Sequence, residues 1–161
     1  MIKRDAFTLY ELIIVIVTIG ILAAVALPRL KTNTLQEETL KVVDYIRYTQ
    51  HLAMVDDKYD PKSANWQQNA WCVQINENNL SIFSGSTYAK DPLDQSNIQE
   101  KKFKITLSPT KTICFDELGR PYDSSFSYSN LLHNELNITA SFEGEELNIS
   151  IHPETGFVSF Q

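Results

Sequence analysis

The chain is short of the residues from which most active sites are built. It has five glycines, three histidines and two cysteines in 161 residues. So few glycines leave no phosphate-cradling loop, and His51, His133 and His152 stand too far apart for an HExxH zinc helix. No nucleophile elbow occurs, and the serines of "SSFSYS" (Ser124, Ser125, Ser127, Ser129) read as loop or edge-strand polarity. Asp116 and Glu117 are adjacent, which on a strand sends them to opposite faces, poor geometry for an acid/base pair. The two cysteines make no CxxC motif and no metal-ligand spacing. These absences point to a chain without catalytic residues, metal or cofactor of its own. Positive charge is scarce too: 14 Lys and Arg against 20 Asp and Glu give a net charge of -6. No Lys or Arg follows Arg120. That balance disfavours a general attraction for nucleic acid or anionic lipid.

A hydrophobic content of 43% suffices for a core, and the length fits one ordinary domain plus an N-terminal segment. That segment reads "RDAFTLYELIIVIVTIGILAAVALP". Residues 7–27 are almost continuously apolar and would span ~30 Å as a helix, about one hydrocarbon core. Lys3 and Arg4 ahead of them favour a cytoplasmic N-terminus, with the rest of the chain exported. Two ordinary readings follow. One is a plain single-pass anchor. The other is a secretory signal peptide with Ala24-Val25-Ala26 as its A-x-A cleavage site. Glu11 fits neither, because a carboxylate at membrane depth costs up to ~3 kcal/mol.

The stretch "FTLYELIIVIVTIGILAAVALP", preceded by a short basic leader ending in Ala6, closely resembles the N-terminus of type IV prepilins and type II secretion pseudopilins. In that family a prepilin peptidase cuts after a small residue, usually glycine, and N-methylates the new first residue, usually phenylalanine. The resemblance implies cleavage between Ala6 and Phe7 and methylation of Phe7. Glu11 matches the family's glutamate, and Gly20 and Pro28 match its helix-loosening positions. The sequence departs at Ala6, where glycine is usual, and at Tyr10, where an aliphatic residue is usual. Cleavage would create an α-amine on Phe7, one helical turn from Glu11. An unperturbed α-amine has a pKa of ~8 and stays largely cationic. In an apolar setting each charge favours a partner. The resemblance assigns Glu11 to the Phe7 amine of a neighbouring subunit during filament assembly. The alternative is a pair within the chain, with the helix N-terminus also favouring the carboxylate. Implied partners are the prepilin peptidase/methyltransferase, other pilin or pseudopilin subunits and an inner-membrane assembly platform. The implied location is the bacterial inner membrane, with the C-terminal domain in the periplasm.

After Pro28 the pattern turns amphipathic. Leu35, Thr39, Val42, Val43, Ile46 and Ala53 recur at three- and four-residue steps, while Glu37, Glu38, Lys41, Asp44 and Arg47 take the other face. The pattern predicts one helix from Phe7 to about Met54, on the order of 70 Å long and kinked at Pro28. "VDDKYDPKSANWQQN" breaks the period and reads as a loop. Its Asp56, Asp57 and Asp60 lack the EF-hand spacing and glycine. From Ala70 the period is two: "AWCVQIN" and "LSIFS" form a hairpin around "ENN", and "KKFKITL" alternates lysines with Phe103, Ile105 and Leu107. "TICFD", "LNITASF", "ELNISIH" and "GFVSF" follow, with a turn at "ELGRP". About seven strands after one long helix predict an α+β fold, with the helix packed on an antiparallel sheet. The expected divisions are a leader at 1–6, an apolar helix half at 7–28, an amphipathic half at 29–54 and a β-rich domain at 55–161.

The order of elements, with "ICFDELGRP" and "TGFVSF", resembles the H-type minor pseudopilins and the related FimT-like minor pilins. That resemblance implies a structural subunit of a secretion or pilus filament. A rival reading is a DNA-binding minor pilin for DNA uptake, its phosphate contacts coming from Lys101, Lys102, Lys104 and Lys111. A third is a simple membrane-anchored interaction protein. Two further motifs remain. Cys72 and Cys114 would lie outside the cytoplasm, where disulfides persist. Neighbouring strands would bring them within bridging distance, whereas separate strands would leave two buried thiols. "ELNIT" and "ELNIS" fit N-x-[ST] at Asn137 and Asn148 and resemble an acceptor for bacterial N-glycosylation. The alternative is that both asparagines lie on the polar face of alternating strands.

Overall fold

The computed structural model describes residues 8–63 and 65–161, without the side chains of residues 25–33. Its first element is the helix α1 (Leu9–Val55), 47 residues long. Contacts divide the chain into two compact units, Met1–Thr34 and Leu35–Gln161.

In the second unit the apolar stripe of α1 is the foundation of the core. Leu35, Thr39, Val42, Val43, Ile46 and Ala53 are each no more than 5% exposed, as their helical spacing requires. Glu38 departs from the expected outer face and is buried. The period of ~3.6 residues puts it at the edge of the stripe, between Leu35 and Val42. There its carboxylate accepts the backbone N–H of Lys104 at 3.1 Å and Lys41 Nζ at 2.7 Å. A buried carboxylate is tolerated when its acceptor sites are filled in this way.

The strands form two antiparallel sheets, so the class is α+β. One sheet holds β1 (Trp71–Ile75), β2 (Asn79–Ser84), β3 (Thr87–Tyr88), β4 (Lys101–Lys102), β6 (Lys111–Phe115) and β7 (Pro121–Asp123). Its order is β3-β2-β1-β6-β7, with β4 also pairing β2. The other holds β5 (Thr106–Ser108), β8 (Leu136–Phe142), β9 (Glu145–Ile151) and β10 (Val158–Phe160) in the order β10-β9-β8-β5. Short 3-10 turns occur at Trp66–Asn69 and Tyr128–Asn130. The main core joins the stripe of α1 to Val73, Ile75, Leu80, Ile82 and Ile113 of the first sheet and to Ile138, Ala140, Ile149 and Ile151 of the second.

Two short strands, β3 and β7, carry too few residues to show a period of two, and the sequence reading passes over them. "KKFKITL" corrects a second expectation: it is not one strand. Its alternation is real, with Phe103, Ile105 and Leu107 all buried. Yet β4 pairs β2 in the first sheet, while β5 pairs β8 in the second. Between them the chain changes sheets, held at the β1–β2 turn by Phe103 N–H to Asn78 O (2.8 Å) and Leu107 N–H to Glu77 O (2.6 Å). Inward-facing side chains set the period of two, and a segment crossing from sheet to sheet over one core keeps that period without keeping the ladder.

A smaller apolar cluster covers the opposite face of the first sheet: Ala70, Cys72, Cys114, Tyr122 and Phe126, with Trp66, Phe83 and Leu131 packed against them. Cys72 therefore faces away from the main core, because its neighbours Trp71 and Val73 face into it.

Candidate functional site

The start of α1 gives Glu11 a local role that the sequence reading passes over. Thr8 is the residue just before the helix, and Glu11 is its third residue. Thr8 Oγ1 accepts the Glu11 N–H at 3.3 Å, and the Glu11 carboxylate accepts both the Thr8 N–H (2.9 Å) and the Thr8 hydroxyl (2.8 Å). This reciprocal arrangement is a capping box, for which T-x-x-E is the legible signal. It satisfies two backbone donors that the first turn of a helix otherwise leaves open. Phe7 and Ala6, the expected cleavage residues, lie outside the described residues.

On both sides of Glu11 the helix presents apolar side chains that nothing among the described residues covers. Eleven large ones between Leu9 and Leu22 are 45–78% exposed. An added Cβ at Gly20 would meet nothing within 4 Å, so steric room does not explain glycine there. The side chain of Pro28 lies outside those described. Among the described residues no helix is long and apolar enough to cross a membrane.

Of the four lysines of the nucleic-acid reading, Lys111 stands apart from Lys101. Lys111 is on β6 and Lys101 on β4, with β1 and β2 between them in the register Lys111–Ile75–Leu80–Lys101. At ~4.8 Å per strand that is ~14 Å. Lys111 is paired with Asp123 at 2.9 Å, and Lys101 with Asp91 at 2.7 Å. These two ammonium groups already have carboxylate partners, which reduces what they offer a phosphate.

Asp91 is the most deeply placed of these acids. It accepts Lys101 Nζ at 2.7 Å, the Tyr45 hydroxyl at 2.7 Å and the Leu93 N–H at 2.9 Å. Burial alone would raise its pKa, but the three donors outweigh it and hold the carboxyl at about 2. The same contacts push Lys101 upward, chiefly through Asp91, while burial and Asp91 raise Tyr45. With Tyr48 donating to Lys90 O at 2.9 Å, this cluster fastens α1 to the segment between β3 and β4.

Asp116 lies beyond β6 in the turn, not on a strand beside Glu117. Its carboxylate takes the N–H groups of Leu118 (3.0 Å) and Arg120 (2.8 Å), Arg120 Nε (2.6 Å) and the Tyr122 hydroxyl (3.0 Å). Burial, then Asp116, pushes Tyr122 up to about 12. All four contacts hold the "ELGRP" turn in shape. Among the described residues no group of His, Cys, Asp and Glu is placed to hold a metal ion.

Cys72 and Cys114 stand directly opposite each other on the paired strands β1 and β6, and they are joined as a disulfide. The two sequons are opposite each other as well. In the β8–β9 register Asn137 faces Ser150, and Thr139 faces Asn148. Ser150 Oγ donates to Asn137 Oδ1 at 2.7 Å and Thr139 Oγ1 to Asn148 Oδ1 at 3.1 Å. Each sequon's hydroxyl thus bonds the other's asparagine on the polar face of a continuous hairpin.

No protein-family model, curated protein or solved structure matches the chain.

Proposed function

We propose that this chain is a structural subunit, stored in a membrane by its N-terminal helix and assembled with other subunits through that same helix. More particularly, it is a minor pseudopilin or pilin-like subunit of a type II secretion or type IV pilus machine. Prepilin peptidase would process it between Ala6 and Phe7 at the bacterial inner membrane, and the β-rich unit would work on the periplasmic side. The observation that carries this reading is the uncovered apolar surface between Leu9 and Leu22. At ~1.5–3 kcal/mol for each fully buried side chain, covering it is worth on the order of 10 kcal/mol or more. Lipid provides that cover before assembly, and neighbouring helices provide it afterwards.

The capping box supplies a mechanism for Glu11. Before assembly the carboxylate is held by Thr8 of its own chain. A helix cap is worth about 1 kcal/mol, less than the ~3–5 kcal/mol that a carboxylate left without its counter-charge costs once it is buried. A neighbour's Phe7 amine, arriving in the dry filament core, therefore displaces the local cap. Intact mass and N-terminal sequencing of membrane-extracted protein test the processing. The expected mature chain starts at a methylated Phe7. A start at Leu27, just after Ala24-Val25-Ala26, would identify a signal peptide and refute the proposal. Glu11→Val is expected to enter the membrane but to assemble poorly beside wild-type partners. Normal assembly of that variant would remove the pairing role.

A further inference from the structure

On the face of the first sheet turned away from the main core, a polar groove crosses β1, β2 and β3. Two adjoining hollows make it up, about 540 Å³ and about 260 Å³ in volume, and Gln74, Ser81 and Tyr88 line both. The larger falls within the ~300–1,000 Å³ range of ligand sites. The core behind the groove decides what enters it. Ile82, Ala89 and Ile98 are buried in the main core and tied by backbone bonds: Ile82 N–H to Ile98 O (3.0 Å), Ile98 N–H to Ala89 O (2.9 Å) and Ala89 N–H to Ile82 O (2.9 Å). Chain neighbours of inward-facing residues on extended backbone face the other way, so Ser81, Tyr88 and Gln99 come together on the outer face. Gln74 joins them from β1, where it stands opposite Ser81.

These polar groups are unspent. Ser81 is only 7% exposed, yet among the described residues neither its hydroxyl nor the side chains of Gln74, Tyr88 and Gln99 have a hydrogen-bond partner. A hydroxyl so enclosed calls for a partner from outside the chain. The set is uncharged, made of amides and hydroxyls that both donate and accept. Glu100 is the one charged side chain lining either hollow, and Lys102 stands 3.5 Å from it. At one end Phe83 and Tyr88, opposite each other in the β2–β3 register, add aromatic surface. A polyanion finds no free cation in this groove, and an apolar ligand would strip the amides of water without replacing it. What matches is a molecule with many hydroxyls, no charge, and a flat C–H face to lie on an aromatic ring.

We propose that this groove binds a neutral oligosaccharide, with Gln74, Ser81 and Gln99 exchanging hydrogen bonds with sugar hydroxyls and a pyranose ring packed against Tyr88. Ligand hydroxyls replace the water that otherwise solvates these groups. The paired strands hold the groups in place before the ligand arrives, so little freedom is lost on binding. The site does not depend on the membrane-helix reading, and failure of either leaves the other standing.

The test uses the full-length chain in a polyoxyethylene detergent, which carries no sugar. Maltohexaose, cellohexaose, laminarihexaose and N-acetylchitohexaose are titrated separately and followed by saturation-transfer difference NMR. At least one is expected to bind saturably below about 10 mM. Gln74→Ala, at an exposed position, and Tyr88→Ala are each expected to weaken that binding about fivefold or more, and Asn148→Ala, on the outer face of the other sheet, to leave it unchanged. Tyr88→Phe keeps the ring and is expected to lose less than Tyr88→Ala. Failure of all four sugars to bind at about 10 mM would overturn the proposal, and so would binding indifferent to Gln74→Ala. An oligogalacturonate that binds more tightly than the neutral sugars, with the same dependence on Gln74, would refute the neutral class. A peptide of Asn, Ser and Gly that binds with that dependence, where the sugars do not, would assign the groove to a polypeptide and overturn the proposal too.

Discussion

Asp91→Asn tests the energetics of the junction between α1 and the segment that follows β3. The substitution keeps the shape and removes the charge. The carboxylate takes three donors, and an amide has one acceptor oxygen, so at least one of Lys101, Tyr45 and Leu93 loses a good partner. The carboxyl falls from an ordinary 3.8 to about 2 in the folded chain, which corresponds to about 2 kcal/mol of stability at neutral pH. A fully buried pair would lose ~3–5 kcal/mol, but the Lys101 side chain is 36% exposed and turns to water when its partner goes. We therefore expect a loss of about 2 kcal/mol, a fall of roughly 5–10 °C in Tm. The sign of the pH dependence follows. The folded carboxyl titrates below the unfolded one, so its contribution is complete above pH ~5 and disappears as the pH falls toward 2. Urea titrations followed by tryptophan fluorescence, at pH 7 and again near pH 2, separate this charge from the shape of the side chain. The variant should lag the wild type at pH 7, and most of that gap should close near pH 2, where the carboxyl is protonated in the unfolded chain and about half protonated in the folded one. Equal midpoints at pH 7, or a gap that persists unchanged at pH 2, would refute the reasoning.

Two further outcomes concern the second unit. Gly156 has φ +64°, and an added Cβ would lie 2.6 Å from Gln50 Nε2 and against the carbonyl of Gly119. Gln50 itself bridges from α1 to Gly119 O at 2.8 Å and Thr155 O at 3.1 Å. Gly156→Ala is therefore expected to cost about 2 kcal/mol or more, read as a lower thermal midpoint, and an unchanged midpoint would show that the two turns yield freely. Reducing the disulfide, which joins residues 42 positions apart, should lower the urea midpoint by an amount worth up to ~4 kcal/mol. Equal midpoints with and without reductant would show that the bridge adds no stability.

Periodicity in the sequence settled a good deal. The stripe from Leu35 to Ala53 and the β1–β2 hairpin are legible because a helix or strand that faces one core repeats its apolar residues at a fixed step. The same local logic makes Glu11 conspicuous in an apolar run, and the T-x-x-E spacing held the cap that sequence reading overlooked. What a local pattern cannot carry is the identity of the neighbouring strand. Whether Cys72 meets Cys114, and whether Asn137 and Asn148 lie apart or face each other's hydroxyls, depends on strand order and register, which are set by contacts far apart in the chain. The passage of "KKFKITL" from one sheet to the other escaped for the same reason: its side chains keep one period while its backbone changes partners. Charged residues were the least legible of all. Glu38 reads as an outer-face acid from its place in the helical pattern and Asp91 lies in a segment with no pattern of its own, and only tertiary packing buries them. A carboxylate can leave water only where donors from distant segments converge: the Lys104 amide for Glu38, and Tyr45 and Lys101 for Asp91.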